Sequence, residues 1–260
     1  MTLPYDQPTY HDGDPISADT APRAARQCQW CEKPDCVAAC PAHVDVPGFL
    51  RRMEVGNAAG AARLIRQANP LAEVCGTLCG PDAPCQHACY RTSFAGKPVQ
   101  ITELQRWVCE TAGADGWPAS DAVSTGRRVA ILGSGPAALT AAYFLALSGT
   151  AVDMYAPESA PGGPLMDAAL PAGALERDLS GILATGIHFH GNTHVLSRQD
   201  ANQLVAGYDA VLVAGAPWPI LEGQSDWTAM PEFKEGLATV VEAVAEGRRR
   251  AAEIQHALKR

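Results

Sequence analysis

The chain has 260 residues, enough for one large or two ordinary domains, each with its own core. Its formal net charge is −8 and its only run of like charge is Arg248-Arg249-Arg250, which argues against a nucleic-acid binder, whose affinity rests on neutralising phosphates. No apolar stretch approaches the ~20 residues of a membrane span, and the start MTLPYDQPTYHDGDP lacks the basic and apolar regions of a signal peptide.

Residues 1–24 are polar, rich in Pro and Asp and without periodicity, and read as an extended or mobile arm. A cysteine-rich region follows, over residues 25–110. Between its two cysteine clusters Asp45 is placed to cap a helix with Pro47 in its first turn, burying Phe49, Leu50 and Met53. Asn57 caps a second helix through Leu64 and Ile65, which stops before Asn69-Pro70. The region is thus expected to be a small helical domain pinned by its cysteines. The stretch TAGADGWPASDAVSTG, residues 111–126, reads as a linker. Residues 127–260 alternate strand and helix signals, so the fold class is α + α/β: a small helical domain followed by a Rossmann-like parallel-sheet domain.

Nine cysteines in a chain without an export signal are expected to be metal ligands in a cytoplasmic protein, because the cytosol keeps thiols reduced. The first cluster is C-x2-C-x4-C-x3-C-P, at Cys28, Cys31, Cys36 and Cys40; the second is C-x3-C-x5-C-x3-C, at Cys75, Cys79, Cys85 and Cys89. Such spacings wrap thiolates around a metal centre. A last cysteine followed by proline is similar to the ferredoxin run, in which that cysteine ligates the other iron–sulfur cluster. Structural zinc also takes four thiolates and remains the rival on spacing alone.

Residues 28–109 resemble the N-terminal iron–sulfur domain shared by the small subunit of bacterial glutamate synthase and by dihydropyrimidine dehydrogenase. The stretches CPAHVDVPGFL and NPLAEVCGTLCGPDAPCQHAC carry the likeness. The resemblance implies two [4Fe–4S] clusters with interleaved ligands. Cys28, Cys31, Cys36 and Cys89 would hold one. Cys40, Cys79 and Cys85 would hold the other, with a fourth ligand sixteen residues after the last motif cysteine; that position is Gln105. Cys75 is then a motif cysteine without a cluster bond, and Cys109 a core residue.

RRVAILGSGPAALTAAYFLALSGTAVDMY, residues 127–155, reads as strand, glycine turn, helix and strand. Gly133, Gly135 and Ala138 fill G-x-G-x-x-G/A, with Pro136 opening the helix; the glycines allow a tight turn and a close approach of backbone to a pyrophosphate. APGGPL, with Gly162 and Gly163, resembles the loop after the second strand in the glutamate synthase small subunit and its flavoprotein relatives, where this half binds FAD. Gly215, in YDAVLVAGA, falls in the family's Ala-Thr-Gly strand, with Ala214 in place of the threonine. The second strand should end in an acid for the ribose hydroxyls; that position is Ala156, so Glu158 substitutes only if the loop bends. The family's NADPH domain, inserted within the FAD half, is missing between YDAVLVAGAPWPILEG and the closing helix at residues 236–254, and Glu232 stands near the family's flavin-contacting acid.

His188, His190 and His194 are read as exposed strand histidines rather than metal ligands, and Arg248 to Arg250 as a solvated helix face. No Ser/His/Asp or paired-carboxylate arrangement stands out, so no catalytic residue is assigned. The resemblance implies an electron-transfer subunit, a component of an oxidoreductase rather than a stand-alone enzyme, with two [4Fe–4S] clusters and FAD, working with a larger catalytic partner. Two alternatives stand beside it: a scaffold subunit with an empty flavin site, and a self-sufficient NAD(P)H oxidoreductase.

Overall fold

The computed structural model describes residues 11, 13–119, 122–195, 197–214, 228–230 and 238–259. The helical half is a set of short helices: α1 (Ala21–Ala25), α2 (Asp35–Ala39), α3 (Val46–Glu54), α4 (Ala58–Arg66), α5 (Ala72–Leu78), α6 (Pro84–His87), α7 (Thr92–Ala95) and α8 (Ile101–Ala112). Helices this short are not stable alone and depend on burying a face. Asp45 caps α3 by accepting from Gly48 N at 3.0 Å, and Asn57 caps α4 by accepting from Gly60 N at 2.8 Å. Their buried residues, Phe49, Leu50, Met53 and Ile65, recur three or four apart and face one core. α5 lies on α8 at Gly76, where a Cβ would come within 3.0 Å of the Thr102 carbonyl oxygen.

Two boundaries differ from the sequence reading. The arm expected over residues 1–24 ends earlier, because α1 begins at Ala21 and buries Ala21, Ala24 and Ala25 against α3. Alanines pack flat against a neighbour but give little hydrophobic signal. The linker expected over residues 111–126 is anchored in its first part: α8 runs to Ala112, a 3₁₀ turn covers Gly113–Gly116, and Trp117 follows it. Trp117 fills the space that a Cβ on Gly181 would need, and the Arg66 guanidinium lies over its ring at 4.3 Å.

Among the described residues, the second half is a five-stranded parallel sheet of β1 (Arg128–Leu132), β2 (Ala151–Tyr155), β3 (His188–His190), β4 (Ala210–Ala214) and β5 (Thr228–Met230), in the order β3-β2-β1-β4-β5. β1 is central and buried from Val129 to Leu132, as a strand covered on both faces must be. On one face, α9 (Pro136–Leu147) packs against α12 (Ala238–Leu258), closely enough that a Cβ on Gly247 would overlap the Ala137 carbonyl. α10 (Ala174–Leu183) packs on that side too, and α11 (Arg198–Leu204) covers part of the other face through Ala201. One hydrophobic core runs from Phe49 and Leu104 of the helical half to Ile131 and Leu139 of the sheet half. Among the described residues, no helix is long and apolar enough to cross a membrane.

Candidate cofactor sites

α2 is the strut between the two cysteine groups, with Cys36 in its first turn and Cys40 as its C-cap. Cys28, Cys31, Cys36 and Cys89 line one pocket, walled by Leu50, Val99 and Ile101. Trp30, between Cys28 and Cys31, has φ +51°, a left-handed conformation that costs about 1–2 kcal/mol for a residue with a Cβ. Arg51 holds its ring from 5.0 Å. Burial raises the Cys28 pKa, and the neighbouring Cys31 and Cys89 raise it further. Cys36 is pushed up to about 12 by burial and then by Cys89, Cys28 and Cys31. Cys28 and Cys36 thus ionise against burial and neighbouring thiols, an environment that positive charge at the centre of the group would relieve.

Cys40, Cys79 and Cys85 make the second group. Cys79 is the C-cap of α5, and Cys85 lies in the first turn of α6. Cys40 is raised by burial and by Cys79; Cys85 is pushed up to about 12 by burial, then by Cys40, Cys79 and Cys36. α2, with Cys36 and Cys40, packs against α6, which carries Cys85, so the two groups adjoin. Cys79 alone is lowered, by a hydrogen bond from the wholly buried Cys75. Among the described residues, no three of His, Cys, Asp and Glu converge closely enough to hold a single metal ion. Thiol groups of this kind suit structural zinc or an iron–sulfur cluster alike.

Gln105 is buried on α8, and its Nε2 donates to the Ala72 carbonyl oxygen at 2.7 Å. That bond leaves Oε1 as the atom for a metal and anchors the amide against α5, the helix that ends at Cys79. Gln86, next to Cys85, is a residue the sequence reading missed. Its Oε1 accepts from Thr102 N and Oγ1 at 2.9 and 3.0 Å, and its Nε2 donates to the Pro81 carbonyl at 3.0 Å. It ties the loop between Cys79 and Cys85 to the helix of Gln105. Cys109 is buried and pushed up to about 12 by burial, away from both groups beside Arg66. All nine cysteines are free of disulfides.

The glycine turn follows β1. Gly133 has φ +137°, and a Cβ there would overlap the Ala214 carbonyl, so only glycine lets β1 turn beside β4. At Gly135 a Cβ would meet nothing nearer than Pro164 at 3.8 Å. That leaves open space before the N-terminus of α9, where Pro136 occupies the first turn and Ala138 packs inward. The Gly162-Gly163 turn lies on this one: Gly162 N donates to Ser134 O at 2.9 Å, and a Cβ on Gly163 would stand 3.0 Å from Gly135 Cα. Ala156 is fully buried, and the loop does bend: Ser134 Oγ donates to Glu158 Oε2 at 3.1 Å. The cradle at Gly135 and the acid beside it fit a dinucleotide phosphate and ribose. Gly215 and Glu232 lie outside the described residues.

The remaining singled-out residues separate. His188 and His190 lie on β3 with His194 beyond it, and His190 stacks on Tyr155 and bonds Asp153 Oδ1 at 2.8 Å. Arg249 and Arg250 pair with Glu246 and Glu253 along α12, and Arg248 reaches the Ala42 carbonyl of the helical half at 3.4 Å.

Residues 11–117 match the family described as dihydropyrimidine dehydrogenase domain II, 4Fe-4S cluster. This part of the chain is similar to that 4Fe-4S domain. The likeness continues into the sheet half. The NAD-dependent dihydropyrimidine dehydrogenase subunit PreT of Salmonella typhimurium is 33% identical over 221 residues, 82% of this chain and 51% of its own. The glutamate synthase [NADPH] small chain of Escherichia coli is 31% identical over 217 residues, 81% of this chain and 46% of its own. That of Halomonas elongata is 29% identical over 234 residues, 88% of this chain and 49% of its own. The chain is glutamate synthase small subunit-like, and spans about a third to a half of the length of the curated relatives it matches.

Proposed function

We propose that this chain is an electron-transfer subunit of an oxidoreductase complex, with two [4Fe–4S] clusters, one FAD and a larger catalytic partner. The observation that carries the reading is the pair of adjoining cysteine groups bridged by α2 and packed in one core with a dinucleotide cradle. Cys28, Cys31, Cys36 and Cys89 would hold one cluster, and Cys40, Cys79, Cys85 and Gln105 the other. When bound, the clusters supply one-electron and the flavin two-electron chemistry. The chain's own residues hold and shield: Leu50, Val99 and Ile101 keep water from the first thiol group, and Cys75 donates to Cys79. Gly135, Gly162, Gly163 and Glu158 would cradle the dinucleotide. Nine free thiols suit a reducing compartment, which we take to be the cytoplasm. Relatives named as a subunit and a small chain support a hetero-oligomer. Anaerobic affinity purification from the native host tests this: a co-purifying larger oxidoreductase chain and released FAD support the reading. A flavin-free chain recovered alone overturns it.

A further inference from the structure

α5 ends at Cys79 but has no capping side chain of its own, since its N-cap is Leu71. Its first N–H groups are satisfied from the other half of the chain. Asp178 of α10 accepts from Glu73 N at 3.0 Å and from Val74 N at 3.1 Å through Oδ2, across more than a hundred residues. Its neighbour Arg177 clamps the Glu73 carboxylate, with Nε 3.0 Å from Oε2. On the other side, Gln105 holds the Ala72 carbonyl. One turn, Ala72 to Val74, is thus gripped by both halves, and α5 carries its position about 10 Å along to Cys79.

Stability alone is a poor reason for this arrangement. Asp178 is fully buried, its Oδ1 has no hydrogen-bond partner, and Arg66 stands off at 3.7 Å. A buried carboxylate costs several kcal/mol that an apolar seam would avoid, while its directional bonds fix an orientation.

We propose that Asp178 is a positioning residue for the second cysteine group: by capping α5 from the Rossmann half it sets where Cys79 stands. This rests on the reading of Cys40, Cys79, Cys85 and Gln105 as one cluster's ligands. The two halves then share one ligand geometry, and a shift of α10 reaches that cluster and not the one held by Cys28, Cys31, Cys36 and Cys89.

The test is EPR and potentiometry of the dithionite-reduced, cluster-loaded full chain, with the second cluster's signal identified as the one lost in Cys85→Ser. Asp178→Ala should change the g-values or midpoint of that signal only, and Asp178→Asn, which keeps an oxygen acceptor, should restore them. If Asp178→Ala does not fold, Asp178→Glu, which displaces the cap by one methylene, should give the same selective change. Unchanged signals, or equal changes in both, would overturn the proposal. A wild-type chain with only the first signal would refute the cluster reading, and the proposal with it.

Discussion

Ser134 donates its hydroxyl to Glu158, tying the glycine turn after β1 to the loop after β2. The acid that a nucleotide ribose needs is absent from the end of β2, where Ala156 is buried, and the loop returns one from two residues further on. Glu158→Gln keeps an oxygen acceptor but loses the charge, and should weaken FAD binding about tenfold, as removing a charge-assisted hydrogen bond does. Flavin fluorescence titration of the deflavinated chain measures it.

Gly133 and Gly135 should fail differently when changed to alanine. Gly133→Ala drives a Cβ into the Ala214 carbonyl and forces an unfavourable φ, so it should destabilise the fold itself. Gly135→Ala meets no protein atom nearer than 3.8 Å and should fold normally, yet lose flavin because the Cβ occupies the phosphate's approach. Thermal unfolding and flavin content, measured on both variants, separate the two effects.

Cys36→Ser should remove or destabilise one cluster, seen as a loss of about four irons per chain. Cys75→Ser should leave both clusters in place, because Cys75 sits behind Cys79 as a donor rather than at the centre of a group. Iron analysis of the two anaerobically purified variants checks this.

The Asp178 carboxyl is pushed up to about 7 by burial, against the pull of Arg66 and two backbone N–H groups. An acid whose folded pKa is raised leaves the folded state protonated while the unfolded chain ionises. Stability therefore falls as pH rises from about 4 to about 7 and levels off above. Between pH 5.5 and 8 the wild type should lose on the order of 2 kcal/mol relative to Asp178→Asn. Urea unfolding of both loaded chains at the two pH values measures the difference.

Mixed anaerobically with excess NADPH or NADH, the cofactor-loaded 260-residue chain should not bleach. Hydride transfer between nicotinamide and flavin needs two nucleotide sites. Among the described residues there is one G-x-G-x-x-G/A turn, and the strand that follows its helix, β2, leads into the buried Ala156 with no basic residue for a 2′-phosphate. Rapid loss of absorbance would instead favour the self-sufficient reductase.

Much of this architecture is legible in local sequence because its causes are local. Asp45 and Asn57 cap helices within three residues, and Gly133 and Gly135 mark a turn set by backbone sterics. The cysteine spacing places Cys36 and Cys40 at opposite ends of one short helix. What stays hidden is long-range. Asp178 reaches α5 across more than a hundred residues, and Trp117 meets Gly181 and Arg66 from what reads as linker composition. Gln86 stands within the cysteine motif itself, but its bond to Thr102 depends on how α8 docks.

The two-cluster claim is tested most directly by counting iron and acid-labile sulfide in the anaerobically purified chain, alongside its Mössbauer spectrum. Two groups built from Cys28, Cys31, Cys36, Cys89 and from Cys40, Cys79, Cys85, Gln105 require about eight of each per chain, all in [4Fe–4S] form. About four of each would leave one group without a cluster, and a colourless chain holding two zinc ions would contradict the account outright.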